Sequence, residues 1–293
     1  MKKQLRKAVQ FIISKNRHPI WVPPGHFYSP LPNIDESRER KDAIYKNAQE
    51  FLALDMGEEQ QLKNLDRFES IYSTFPYGER QSGTRYKLVN DTFTPADAFA
   101  LFAMISTAQP KRFIEVGSGM SSAVTLDTME QLKLETELTF IEPYPDVLKA
   151  SVRKEDFNRF RLVQEDLQKV DTALFEELEE NDILFIDSTH VSRFGSDVNY
   201  IFFNILPRLK PGVIVHFHDI NFHFEYPFDW IEEGRGWNEA YILRAFLMYN
   251  DHFKIEYFNS FMGHYHKERI RKSMPLALYR ENTGCSIWLR KVK

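Results

Sequence analysis

The chain has 293 residues, of which 43 % are hydrophobic and 27 % charged, with a formal net charge of −4. This length and balance suit one large folded domain with an extension and exclude a disordered polymer or a membrane span. The acidic excess leaves no electrostatic footprint for nucleic acid, and a single cysteine, Cys285, excludes an intrachain disulfide and suits a reducing, cytoplasmic setting.

In chain order, Leu5, Val9, Ile12 and Ile13 share one helical face opposite Lys3, Arg6 and Lys7. The apolar run from Phe11 to Ile13 is too short for a secretory leader, and no window reaches transmembrane length, so stable membrane insertion is not expected. That face is expected to pack on the domain or on a second subunit, which keeps a homodimer open; contact with a membrane surface is the weaker alternative. Residues 17–33, rich in proline and aromatics, read as an extended segment lying across the domain. Two helices follow. Asp35 caps the first, with Ile44, Ala48, Phe51 and Leu52 as its buried stripe. Leu62, Leu65, Phe68, Ile71, Tyr72 and Phe75 form the stripe of the second. Residues 1–90 thus read as an extended segment and an N-terminal helical cap. Thr94 and Pro95 are an N-cap and first helical position, opening a third helix that leads to the first strand of the domain spanning 91–293.

From Phe113 onward strands alternate with helices. Strands are expected at 113–116, 138–142, 161–164, 183–187 and 213–218, with helices at 121–132, 145–152, 171–179 and 196–208 between and after them. This is the signature of an α/β fold, a mostly parallel sheet with helices on both faces. Strands at 254–259 and 286–291, with no good crossover helix between them, make an antiparallel C-terminal end. The result is a Rossmann-like seven-stranded sheet.

The segment Arg112–Ser122 (RFIEVGSGMSS) runs from a strand through a glycine turn into a helix. Gly117 and Gly119 permit a sharp turn against a ligand, and Ser118, Ser121 and Ser122 stand beside the free N–H groups of the helix start. Glu142 ends the second strand about 25 residues past Gly117, the interval at which such folds present a carboxylate to a ribose diol. Asp166 follows the third strand and can accept from an adenine amino group. Strands four and five deliver Asp187 with His190, and His216, His218 and Asp219, so that Asp187, His218 and Asp219 form a reasonable divalent-cation site. Alternation sends Asp219 to the other side from His218 unless the chain turns there. After Asp219, His223, Glu225, Tyr226, Trp230 and Trp237 either line an acceptor pocket or pack the loop. The loop around Arg193 forms a second rim. The basic stretch His264–Lys272 reads as a solvated loop face.

The phrases EVGSG, FIEPYP, QED, FIDSTH and HFHD, with the upstream PPGHFYSPLPN and RYKLVNDTF, resemble the class I S-adenosylmethionine-dependent methyltransferases, in the branch of methyltransferase family 24. The resemblance implies a methyltransferase domain over 91–293. In it the glycine turn holds the amino-acid end of S-adenosylmethionine, Glu142 its ribose and Asp166 its adenine, while Glu115 fixes the turn or reaches the cofactor's ammonium. Asp187, His190, His218 and Asp219 then surround the point of methyl transfer to a small acceptor, a hydroxyl of a sugar or polyol. Two routes stay open: Mg²⁺ or Mn²⁺ held by Asp187, His218 and Asp219, or a metal-free route with His190 or His218 as base. Metal-dependent relatives of this fold use two Asp and an Asn, from which the set here departs. A metal-dependent hydroxylase-like or hydrolytic enzyme, or a non-catalytic cofactor-binding scaffold subunit, is the rival reading.

Overall fold

The computed structural model describes residues 21–78, 83–90 and 92–293. The amphipathic face expected between Leu5 and Ile13 lies outside the described residues. Eleven α-helices are described: α1 (Ile34–Ala48), α2 (Glu58–Ile71), α3 (Pro95–Ala108), α4 (Met120–Leu132), α5 (Asp146–Ser151), α6 (Ala173–Glu176), α7 (Asp197–Tyr200), α8 (Phe228–Glu232), α9 (Glu239–Leu247), α10 (Asn259–Tyr265) and α11 (Lys267–Ser273). The strands are β1 (Arg112–Val116), β2 (Glu137–Ile141), β3 (Arg161–Val163), β4 (Ile183–Ile186), β5 (Ile214–Phe217), β6 (Phe253–Phe258) and β7 (Ile287–Lys291). No helix among the described residues is long and apolar enough to cross a membrane.

The chain divides into two compact units. One comprises the described residues up to Asn47 with Pro227–Gly236, the other Ala48–Tyr226 with Trp237–Lys293. In the smaller unit, Asn33 Oδ1 accepts the N–H groups of Asp35 and Glu36 at 3.1 and 3.3 Å. The cap of α1 is therefore Asn33, not Asp35, because its side chain reaches both free donors. Asp35 instead pairs with Arg38, whose Nη2 also reaches Glu232 at 2.6 Å. Phe51 and Leu52 lie beyond the end of α1, and Leu52 is exposed.

In the larger unit the strands form one sheet in the order β3-β2-β1-β4-β5-β7-β6. β1 to β5 run parallel, and β7 runs antiparallel to both β5 and β6. The parallel strands are apolar runs because both sheet faces are covered; β4 is buried at every residue. Register then places the site. Val116 is opposite Ile141 and Ile186, and Ile186 is opposite Phe217. The ladder runs one residue further, from Gly117 N to Ile141 O (3.0 Å), Asp187 N to Val116 O (2.9 Å) and His218 N to Ile186 O (3.0 Å). Gly117, Glu142, Asp187 and His218 therefore leave the sheet in one row.

Within this unit α2 and α3 cover the sheet through apolar and polar packing. Thr94 caps α3 as expected, accepting the Asp97 N–H, and α3 is buried from Pro95 to Ile105. On α2, Gln61 accepts the N–H of Phe258 at 2.9 Å and Asn64 donates to the Glu256 carbonyl at 2.8 Å. These side chains satisfy β6 where its register with β7 slips between Ile255 and Tyr257.

Three local expectations change. The stretch 196–208 is not one α-helix: α7 passes into a π-turn and a 3₁₀ turn at Pro207, which has no N–H to continue the helical ladder. The 171–179 helix contracts to α6. The basic stretch 264–272 falls within α10 and α11, which bury Phe261, Met262 and Ile270, while Arg269 pairs with Glu69 and Asp66. His216 is a core residue, its ring stacked 3.7 Å from that of Phe185. Burial and the neighbouring His218 charge push its pKa well down, so it is neutral.

Candidate active site at the carboxyl ends of β1, β2, β4 and β5

Between β1 and α4 the backbone turns at Gly117, at φ +81°. A Cβ there would stand 1.7 Å from the Asp187 carbonyl oxygen, so only glycine lets β1 and β4 approach this closely. Beneath the turn lies Glu115, fully buried, accepting Ser121 Oγ at 2.5 Å and Ser122 Oγ at 2.9 Å. Ser122 Oγ in turn accepts the Gly119 N–H at 3.1 Å. Burial, with Asp187 and Glu142 nearby, raises the Glu115 carboxyl to about 8 despite the serine bonds. Of its two expected roles, Glu115 makes the contacts of the first, bracing the turn.

Glu142 stands across from the turn. Its Oε2 accepts the Ser118 N–H at 3.2 Å, and its Oε1 accepts that of Tyr144 at 2.7 Å. Gly117, Ser118, Glu142, Tyr144, Asp187 and Phe93 help line a cleft of ≈ 240 Å³. Ser118 Oγ, on this lining, and Ser188 Oγ, next in the chain to Asp187, are buried with no hydrogen-bond partner among the described residues. Buried hydroxyls are rarely left so, and that of Ser118, on the lining, is available to a polar ligand. Asp166 is not among the lining residues: it is half-exposed and paired with Lys169 at 2.7 Å.

Phe93 and Thr92 reach the cleft on a strap anchored by Arg85. The Arg85 side chain, 2 % exposed, bonds Asp127, Asp156 and Glu130 at 2.6–2.8 Å. Asp127 also accepts the N–H groups of Arg85 and Tyr86 and the Tyr77 hydroxyl. Further along, Asn90 Oδ1 accepts the N–H groups of Thr92 and Phe93.

Beyond β4 and β5 the chain collects Asp187, His190, His218 and Asp219, as expected from sequence. It does turn at Asp219 (φ +57°), and again at His190 (φ +59°). These turns bring His190 Nε2 to 3.3 Å from Asp187 and 3.5 Å from Asp219, and His218 Nδ1 to 3.6 and 3.4 Å from the same carboxylates. Burial opposes charge throughout, yet the pairing outweighs it. Asp187 is held well below the usual carboxylate range by His218 and His190. His190 rises to about 10 on the carboxylates of Asp187 and Glu239, and His218 rises on those of Asp187, Asp219 and Asp97. Both histidines are nearly buried, while the Asp187 and Asp219 side chains remain 28 % and 17 % exposed and form the open side.

Sequence reading missed three members of this network. Asp97, on α3, is fully buried, accepts from Thr94, Asn259, Cys285 N and Ser286, and lies 3.6 Å from His218 Nε2. Glu239, the first residue of α9, lies 2.8 Å from His190 Nδ1. Cys285 points its thiol at Asp219 Oδ1, at 3.2 Å. The only local signals were an acid inside an apolar helix start and an acid opening α9; neither names a partner.

The methyltransferase domain model of family 24 matches residues 114–220. An uncharacterised protein of Archaeoglobus fulgidus is 38 % identical over 166 residues, covering 54 % of this chain and 74 % of its own. Among solved structures, cmcI-D160 with Mg and SAM gives 16 % identity and a TM-score of 0.43, over 76 % of this chain and 84 % of that one. The plantazolicin methyltransferase BpumL with SAH gives 14 % and 0.44, over 89 % and 99 %. TomG, an O-methyltransferase of Streptomyces achromogenes, gives 10 % and 0.41, over 78 % and 90 %. The family match over 114–220, within a sheet of this order, shows that the chain carries a class I S-adenosylmethionine-dependent methyltransferase domain.

Proposed function

We propose that this methyltransferase acts on a hydroxyl of a small acceptor, a sugar or other polyol, with cofactor bound along the Gly117 turn and Glu142. One observation carries the reading: Asp187 lines the cofactor cleft and is also a wall of the His190–His218–Asp219 cluster. Donor pocket and proton-accepting groups therefore meet at one residue. When bound, S-adenosylmethionine supplies an electrophilic methyl on a sulfonium. The chain's own residues do the rest. Glu142 offers two carboxylate oxygens to a ribose diol, and Ser118 offers an unpaired hydroxyl to the polar end. Asp187 and Asp219, on the open side, accept a hydrogen bond from the acceptor hydroxyl. His190 holds a proton while Asp187 and Glu239 act on it alone. A cation held against Asp187 would weaken that hold and let the Nε2 proton pass to solvent, and the neutral Nε2 would then be placed to accept the proton of the acceptor hydroxyl. The part assigned to Asp166 is a weaker element, since its carboxylate faces Lys169.

The ligand atoms of Asp187, His218 and Asp219 lie within 4.8 Å of one another, and two carboxylates with an imidazole suit Mg²⁺ or Mn²⁺. Such an ion would be held by these three residues and would acidify an acceptor diol. Calorimetry on chelator-treated protein tests both parts. The reading predicts S-adenosylmethionine binding that Glu142→Ala weakens about 10²-fold. It also predicts a separate Mn²⁺ heat absent from Asp187→Ala/Asp219→Ala, and transfer of labelled methyl to a polyol or catechol. Absence of cofactor binding in every condition would overturn it.

A further inference from the structure

His190 and His218 both face Asp187 and Asp219, but they are held differently. The nitrogens of His218 approach carboxylates no closer than 3.4 Å, and its Nε2 has no hydrogen-bond partner among the described residues. His190 Nδ1 lies 2.8 Å from Oε2 of the fully buried Glu239. The backbone reinforces that bond. The His190 carbonyl accepts the N–H groups of Asn238 at 3.0 Å and Glu239 at 3.2 Å. The Asn238 side chain accepts the Ser192 N–H at 2.6 Å and donates to its carbonyl at 3.2 Å. On the other side the imidazole lies 4.5 Å from the Trp237 ring. The start of α9 thus clamps the loop after β4 from two directions. The second Glu239 oxygen, Oε1, is buried without a partner among the described residues, a cost that packing alone does not require.

We propose that Glu239 is the positioning residue of the transfer site. It fixes the ring orientation of His190 and keeps a proton on Nδ1, so that Nε2 is the nitrogen presented between Asp187 and Asp219 to the acceptor hydroxyl. The proposal rests on the hydroxyl-acceptor reading above. A carboxylate behind an imidazole serves the same end in other sites, where it sets tautomer and direction.

The test combines ¹⁵N-histidine spectra of the intact chain with kinetics. His190→Gln assigns the His190 signals. The expected parent spectrum shows a protonated, strongly hydrogen-bonded Nδ1 at His190, and Glu239→Gln shifts it. In that variant S-adenosylmethionine affinity stays within about threefold, while kcat on catechol, glucose or myo-inositol falls about 10–100-fold. In the His190→Gln background, Glu239→Gln should cost no further rate. Should Glu239→Gln fail to fold, Glu239→Asp keeps the charge and withdraws it by one methylene, with the same spectral and kinetic outcomes expected. An unchanged His190 spectrum overturns the proposal. So does a kcat loss matched by equal losses in cofactor affinity and melting temperature. If the parent binds cofactor but methylates none of the probes, the hydroxyl-acceptor reading fails alone, and the spectra still decide whether Glu239 holds His190.

Discussion

Glu115 offers the most direct check on how the cofactor turn is built. It is fully buried, its carboxylate accepts from Ser121 and Ser122, and burial lifts its carboxyl from 4.5 to about 8. The sign follows from linkage. Between these values the unfolded chain has lost the proton and the folded chain keeps it, so stability present below 4.5 is lost as pH rises towards 8. The gap is 8 − 4.5, or about 3.5 units, and at about 1.4 kcal/mol per unit the loss approaches about 5 kcal/mol. Glu115→Gln keeps the shape, an acceptor and a donor, and has nothing to ionise. Urea unfolding of parent and variant at about pH 5 and about pH 8 cancels contributions common to both. The variant should gain on the parent by several kcal/mol between the two conditions. Parallel stability–pH curves would refute the reasoning, because Glu115 would then be ionised in the folded chain. Cofactor affinity separates the two roles: bracing predicts a change within about threefold, whereas contact with the cofactor's ammonium predicts a loss of about tenfold or more.

Three further outcomes follow from the same geometry. Glu142→Ala removes the acceptor of the Ser118 and Tyr144 N–H groups and the proposed ribose contact. Calorimetry should show about 10²-fold weaker S-adenosylmethionine binding with little change in melting temperature. Gly117→Ala forces a Cβ against the Asp187 carbonyl at φ +81°, so thermal melts should show destabilisation beyond about 3 kcal/mol together with lost cofactor binding. Arg85→Met takes from the buried carboxylates of Asp127 and Asp156 the cation they share, leaving Asp156 only Arg159 at 3.8 Å, and chemical denaturation should show a cost of about 3–5 kcal/mol.

The sheet was readable in sequence because buried parallel strands are continuous apolar runs. FIEV, LTFI and ILFI each stand between turn residues, and both terminal strands were found within a residue or so. The turn acids were readable because ligand sites sit at strand ends, a place that sequence order marks. Asp97 and Glu239 were not, since only tertiary contact joins α3 and α9 to the row of Asp187 and His218. Choosing Asp35 over Asn33 as a cap failed for another reason: both are good N-cap residues two apart, and the hydrogen bonds alone distinguish them. Helices α10 and α11 were hidden by their shortness and by basic residues whose partners, such as Glu69 for Arg269, lie about 200 positions away in sequence.

Two non-glycine residues in the left-handed region, His190 and Asp219, bracket the candidate site. Each such conformation costs about 1–2 kcal/mol, yet each is needed. Asp187 and His218 still follow the sheet ladder, so the chain must reverse just beyond them to swing the next functional side chains back over the strand ends. Glycine would relax the backbone there but bring no carboxylate or imidazole. A pair of variants isolates that strain. Asp219→Ala and Asp219→Gly both delete the carboxylate and its contacts with His190, His218 and Cys285. At φ +57° the glycine variant should unfold later than the alanine variant by about 1 kcal/mol, reversing the usual order in which alanine is the more stable. If alanine proves the more stable, the turn relaxes once the carboxylate is gone, and the charge cluster rather than the sheet ends imposes it.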